Sequence, residues 1–183
     1  MAGPDAPPLR DLPFRALGGQ PGFAADDLEP FVDARRIAVL AYVRADGRPN
    51  QTPIWYSYRE GVFHRTTTTG SPKLRALTRR PDVTLTIQDE RPPYRAVIVE
   101  GRVALRPLDD DDPTEGMARR YLGRLGAEAY DDLTAEVYAA SGLTLISLVP
   151  DVLKGFDNRR ALGRAERAFV AARERLPIPR RWL

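Results

Sequence analysis

A chain of 183 residues with 43% hydrophobic and 29% charged residues suits one globular domain, and its zero cysteines and single histidine exclude a disulfide framework and a thiolate or polyhistidine metal centre. No apolar run approaches the roughly 20 residues that cross a bilayer, so no membrane partner is expected. The net charge of +3 is unevenly spread: residues 158–183 hold eight arginines against Glu166 and Glu174, a net +6 that leaves −3 for the rest, which is not the pattern of a uniform nucleic-acid binder.

Residues 1–27 are rich in Pro, Gly and Ala without a sustained period and read as a flexible or partner-draped leader. Its opening, MAGPDAPPLRDLPF, has proline and charge where a secretory signal needs an apolar stretch, so the expected location is the cytoplasm. Leu28, Phe31 and Val32 then predict a short helix. RIAVLAYV is an apolar run of strand length, Asp46-Gly47 a hairpin turn, and QTPIWYSY a strand with Thr52, Ile54, Tyr56 and Tyr58 on one face and Pro53, Trp55 and Ser57 on the other.

A strand from Val62 runs into four threonines, followed by a Gly-Ser-Pro corner and a basic helix over 71–80. DVTLTIQD and YRAVIVEGRVAL are strands. Asp112-Pro113-Thr114-Glu115 reads as a helix start, predicting helices near 113–124 and 127–140, and GLTLISLV and DVLKGF supply two final strands. A strand meander, one crossing helix, a helical insertion and a late return to sheet give a mainly β (α+β) small barrel with peripheral helices. In RALGRAERAFVAARERL, Leu162, Ala165, Phe169, Ala172 and Leu176 recur at helical spacing, so residues 158–183 are expected to form a basic amphipathic helix and tail that docks on the barrel or across a dimer.

The corner at 63–83 carries the strongest chemical signal. Ser71 as cap with Pro72 at the first helical position leaves free backbone N–H groups at a partially positive end, a natural place for an anion. Lys73 opposes the dipole there unless something negative arrives, and Thr66, Thr67, Thr68 and Thr69 offer hydroxyls beside it. Leu74 and Leu77 form the packed side, with Arg75 and Arg79 flanking it. Residue types alone leave two readings open here, an anion site and a solvated basic helix.

From about Ala34 to Asp157 the chain resembles the FMN-binding split-barrel superfamily of pyridoxamine 5'-phosphate oxidase-like proteins, most of all its branch of deazaflavin (coenzyme F420)-dependent oxidoreductases. The resemblance rests on IAVLAYVRADGRPNQTPIWY, TTTTGSPKLRALTRRPDV, DERPPYRAVIVEGRVAL and ARRYLG, in family order. It implies a split-barrel cofactor domain over 28–157, a homodimer, and a flavin or deazaflavin in a groove between subunits. It also implies a phosphate site at Thr66–Thr69, Ser71 and Lys73 with Arg75 and Arg79 alongside, and ring contact at Pro53, Ile54 and Trp55. Where related sequences often read K-x-R-N-L, Ala76 replaces the asparagine. Arg91-Pro92-Pro93-Tyr94 is a loop that in the family lies near the groove, and equally a stiff hairpin connection.

The chain has no G-x-S-x-G, Walker loop or H-E-x-x-H, so hydrolysis and phosphoryl transfer lack their residues. Hydride transfer does not need them, because the cofactor carries the reactive atoms. No catalytic residue is assigned, His64 is expected on a strand surface, and Asp109 to Asp112 read as a turn and cap, with no metal site. The resulting expectation is an oxidoreductase passing hydride from reduced F420 to a small conjugated or unsaturated substrate. FMN, with one compact phosphate in place of a long acidic tail, is the rival cofactor, and a non-catalytic binding protein is the rival class.

Overall fold

The computed structural model describes residues 6–166, 168 and 170. It contains β1 (Phe14–Ala16), α1 (Ala25–Asp33), β2 (Ala38–Val43), β3 (Pro49–Ile54), β4 (Ser57–Arg59), β5 (Val62–Thr68), α2 (Pro72–Arg79), β6 (Asp82–Gln88), β7 (Arg95–Pro107), α3 (Met117–Ser141) and β8 (Leu143–Asp157). The strands form one sheet in the order β3-β2-β6-β7-β8-β5-β4, with β1 added in parallel to β8. All other pairings are antiparallel. This is the mainly β barrel with outer helices that the strand meander predicts.

The long β7–β8 ribbon is the spine, because β6 pairs with one end of β7 while β5 pairs with the opposite end of β8. Two final strands were expected where the chain makes one. The interruption at Pro150-Asp151 is absorbed by a register shift beside Gly101, which pairs with Pro150. A Cβ at Gly101 would stand 2.1 Å from the Val149 carbonyl oxygen, so only glycine lets the ribbon close there.

Inward residues of this sheet alternate as the sequence predicts. Leu40, Leu85, Val97, Val99, Ile146 and Leu153 meet in one core with Phe31 and Val32 of α1 and Leu74 and Leu77 of α2. The leader does not hang free over its described part, contrary to expectation. Leu9, in a 3-10 turn, is fully buried, Phe14 packs on Phe23 and Phe23 on Phe31, and β1 extends the sheet. Aromatic residues scattered among prolines carry no period, which hides this packing from a pattern reading.

The helical insertion also differs. Asp112 accepts hydrogen bonds from the Thr114 amide and hydroxyl, which holds residues 112–115 as a turn, and α3 starts only at Met117. Two helices were expected with a break near 125. The break lies at Gly123, whose φ of 74° and ψ of 179° separate a short first segment from a longer second one. After β8 a 3-10 turn, Asn158–Ala161, precedes a helix that begins at Arg164. Most of the predicted C-terminal amphipathic helix lies outside the described residues.

The sheet is not closed between β3 and β5. β3 pairs only with β2, and residues 65–68 of β5 pair only with β8. The connection Trp55-Tyr56 bridges the two edges, which makes the expected single strand QTPIWYSY into β3 and β4. This split is where the candidate site lies.

Candidate functional site

Three elements converge on the split. Trp55 follows β3, the polar half of β5 runs from Arg65 to Thr68, and α2 starts just beyond it. Ser71 caps α2 as predicted, accepting from the Leu74 amide at 3.4 Å, with Pro72 in the first turn. Leu74, Ala76 and Leu77 bury the inner face of the helix, which fixes Lys73 beside the strand. The turn before the cap is closed by the Ser71 amide on the Thr68 carbonyl and by the Thr69 and Thr144 hydroxyls, 2.9 Å apart.

Lys73 is half-buried and has no acidic or hydrogen-bonding partner among the described residues. Burial and the charge of Arg65 push its ammonium down to about 8. Arg65 itself is lowered, first by burial, and its side chain donates only to the neighbouring Thr66 carbonyl. Two cations therefore share a partly desolvated corner with no carboxylate between them. Such an arrangement is unfavourable by itself and favourable around a dianion.

Two tyrosines from the second segment of α3 interact electrostatically with Arg65. Tyr130 and Tyr138 share a hydroxyl hydrogen bond of 2.7 Å, and Tyr130 is pushed up to about 12 by burial and by that bond, so at neutral pH it stays protonated. The Tyr130 ring lies 5.3 Å from Trp55, which also stacks nearly parallel on Tyr121, 5.2 Å away at 9°. Tyr121 is anchored through its hydroxyl, which donates to the Arg36 carbonyl at 2.8 Å. An aromatic wall thus leads from the cation pair to the other side of Trp55.

The predicted residues are only partly brought together. Thr66, Thr67 and Thr68 lie on the half of β5 that pairs with β8, with side chains alternating between the two faces of the sheet, Ser71 and Lys73 lie at the start of α2, and Thr69 lies in the turn between them; Trp55 follows β3. The Pro53 side chain is exposed, and that of Ile54 is buried in the core, so only the backbone of Ile54 can reach a ligand at the barrel surface. Arg75 turns away from Lys73: it donates to the Gly70 carbonyl at 2.6 Å and lines a hollow beside the β2–β3 turn with Arg44 and Asp46. Arg79 is exposed on the last turn. Sequence reasoning missed Arg65, Tyr121, Tyr130 and Tyr138. The signals existed, in a lone cation opening a threonine string and in two tyrosines eight residues apart, on one helical face.

His64 corrects another expectation. It is buried, not on the surface, with Nδ1 3.0 Å from the Ser147 hydroxyl, and burial followed by the charge of Arg59 holds its imidazole down at about 4. The acidic run is a turn as expected, with Arg106 paired to Asp109, but it caps no helix, since α3 begins at Met117 behind Gly116.

Beyond Trp55 a cleft of about 770 Å³ opens, lined by Arg35, Arg36, Ile37, Asp89, Arg91 and Tyr121 among others. Here most of the cations are already answered. Arg36 and Arg95 both bond Asp89, at 2.8 and 2.5 Å, and both guanidinium groups lie over the Phe31 ring.

Residues 24–155 match the family model described as pyridoxamine 5'-phosphate oxidase. Among curated proteins none matches the chain. Among solved structures, a conserved hypothetical protein from Mycobacterium tuberculosis aligns with TM-score 0.61 and 22% identity, over 80% of this chain and 92% of that one. A protein named F420 reductase aligns at TM-score 0.52 and 25% identity, over 68% of this chain and 94% of its own. A FAD-binding protein from Mesorhizobium loti aligns at 0.50 and 17%, over 73% and 94%. No helix among the described residues is long and apolar enough to cross a membrane. With the matched family model spanning the barrel from α1 into β8, the chain belongs to the pyridoxamine 5'-phosphate oxidase family and has its flavin-binding split-barrel fold.

Proposed function

We propose that the protein is a homodimeric oxidoreductase that binds F420 at the split and uses its reduced form on a small conjugated substrate. The observation that carries this reading is the Arg65–Lys73 pair, two cations with no carboxylate partner among the described residues, beside the Ser71-capped start of α2. A phosphate-bearing cofactor fits that donor set: Lys73, Arg65, the threonine hydroxyls and the Lys73 amide would take the phosphate, the Leu74 and Arg75 amides being bonded to Ser71 already. The reduced cofactor, when bound, supplies the hydride. What this chain contributes is position, with Trp55 and the backbone at Pro53 and Ile54 as a wall for a flat ring, and protonated Tyr130 as a hydroxyl donor. The similarity to a protein named F420 reductase supports the deazaflavin.

One observation favours FMN. Arg75 is turned onto the Gly70 carbonyl, so the basic groups do not form one continuous track from Lys73 for a long acidic tail. A compact phosphate asks for no such track. Separate fluorescence titrations of the purified protein with F420 and FMN decide between them. Tighter F420 binding, followed by oxidation of reduced F420 in the presence of an acceptor, supports the proposal. Tighter FMN binding selects the rival cofactor, and binding without turnover of either selects a carrier.

A further inference from the structure

The cleft beyond Trp55 has a composition of its own. At about 770 Å³ it suits a small organic ligand. Trp55 and Tyr121, stacked on one another, give it an aromatic lining, and Ile37 and Leu122, 44% and 42% exposed, add apolar groups. Both are large side chains left in contact with water, which is costly without an occupant.

The charges sort into satisfied and unsatisfied ones. Arg36 and Arg95 share Asp89, and Arg159 bonds Asp157 and Asp27. Arg35 has only a 3.3 Å bond to the Tyr121 carbonyl, and Arg91 has no ion-pair or hydrogen-bond partner among the described residues. Glu90 is the one acid of the lining without an ion pair among them, so positive charge remains in excess at the rim. An aromatic lining, exposed aliphatic groups and two uncommitted guanidinium groups ask for a flat, apolar molecule carrying a carboxylate.

We infer that this cleft binds a planar conjugated carboxylic acid, packed against the Trp55–Tyr121 stack with its carboxylate on Arg35 and Arg91. That the acid is the substrate of the neighbouring site rests on the oxidoreductase reading. The binding itself does not, and can be tested without cofactor. Trp55 lines the cleft and packs on Tyr130, which interacts with Arg65, so one aromatic cluster links the cleft with the cation pair.

Trp55 and Trp182 are the two tryptophans of the chain. In a Trp182→Phe background, quenching of Trp55 reports occupancy directly. Trans-cinnamate is expected to quench saturably, and the neutral cinnamamide to bind at least about tenfold more weakly, the loss of one charge-assisted contact. Arg35→Ala and Arg91→Ala, both at exposed positions, should each weaken cinnamate by about fivefold or more and leave cinnamamide unchanged. Lys73→Ala should change neither, which separates this cleft from the cofactor corner. Equal binding of acid and amide, no effect of either arginine substitution, loss of cinnamate binding with Lys73→Ala, or displacement of cinnamate by equimolar triglutamate would each overturn the inference; the last would assign the cleft to a flexible polyacid.

Discussion

Cations gather in two corners of this barrel, one on each side of Trp55, and they are treated oppositely. At the α1 side, Arg36 and Arg95 are pinned by Asp89 and by the Phe31 ring, and their side chains are no more than 17% exposed. At the split, Arg65 and Lys73 lie close enough for one charge to weaken the other, with no acidic partner among the described residues. The first corner is complete as it stands and serves to hold the start of β7 and the approach to β2 together. The second is stable only because the core packing of α2 and the pairing of β5 force it. A completed ion cluster is architecture, whereas an incomplete one enforced by packing points to a missing anion.

Removing Asp89 should have the largest effect. Asp89→Ala strands two poorly exposed guanidinium groups, and a loss of about 3 kcal/mol is expected, a fall of roughly 6–12 °C in Tm by circular dichroism. A change under 2 °C would break the contrast from the structural side. His64 shows the third way to bury a base, by giving up its charge. Its folded pKa of about 4 lies below the usual 6.5, so between those values the unfolded chain takes up a proton that the folded one does not. Stability should therefore fall as pH drops from 6.5 to 4, by up to about 3 kcal/mol, and His64→Gln should flatten that slope in urea melts.

At the split, Lys73→Ala should weaken cofactor binding by about ten- to a hundredfold, the worth of a charge-assisted contact. Affinity should also decline as pH rises through about 8, where the free Lys73 loses its proton, and this pH dependence should vanish in the variant. The smallest effect belongs to Arg75 and Arg79 together. Their neutralisation should weaken F420 by a few-fold more than FMN, with the difference fading at high salt. No difference between the cofactors would mean that an acidic tail does not follow α2.

Much of this was legible in the sequence because it depends on local rules. Ser71-Pro72 specifies a helix start, Leu74 and Leu77 specify its buried face, and alternation in DVTLTIQD specifies β6, all within a few residues. Arg65 was not legible as half of a pair, since its proximity to Lys73 depends on how β5 hands over to α2. Tyr130 reaches Trp55 across 75 positions of chain, a contact with no local signature. The inward turn of His64 and the burial of Leu9 are likewise tertiary choices, where packing overrode the polar look of FHRTTTT and the proline-rich look of the leader. The single β8 strand was missed because Pro150 reads as a breaker, and only the bulge opposite Gly101 makes it tolerable.

Thermal melts of the wild type and Lys73→Met, each with and without F420 and FMN, decide whether Arg65 and Lys73, which have no acidic partner among the described residues, are assembled for a ligand anion. Without ligand the variant should melt at the same temperature or higher, because it loses a cation that opposes both the α2 dipole and Arg65. With ligand it should gain clearly less than the wild type. A variant that is less stable alone yet gains as much from either cofactor would contradict the account and return Lys73 to a structural role.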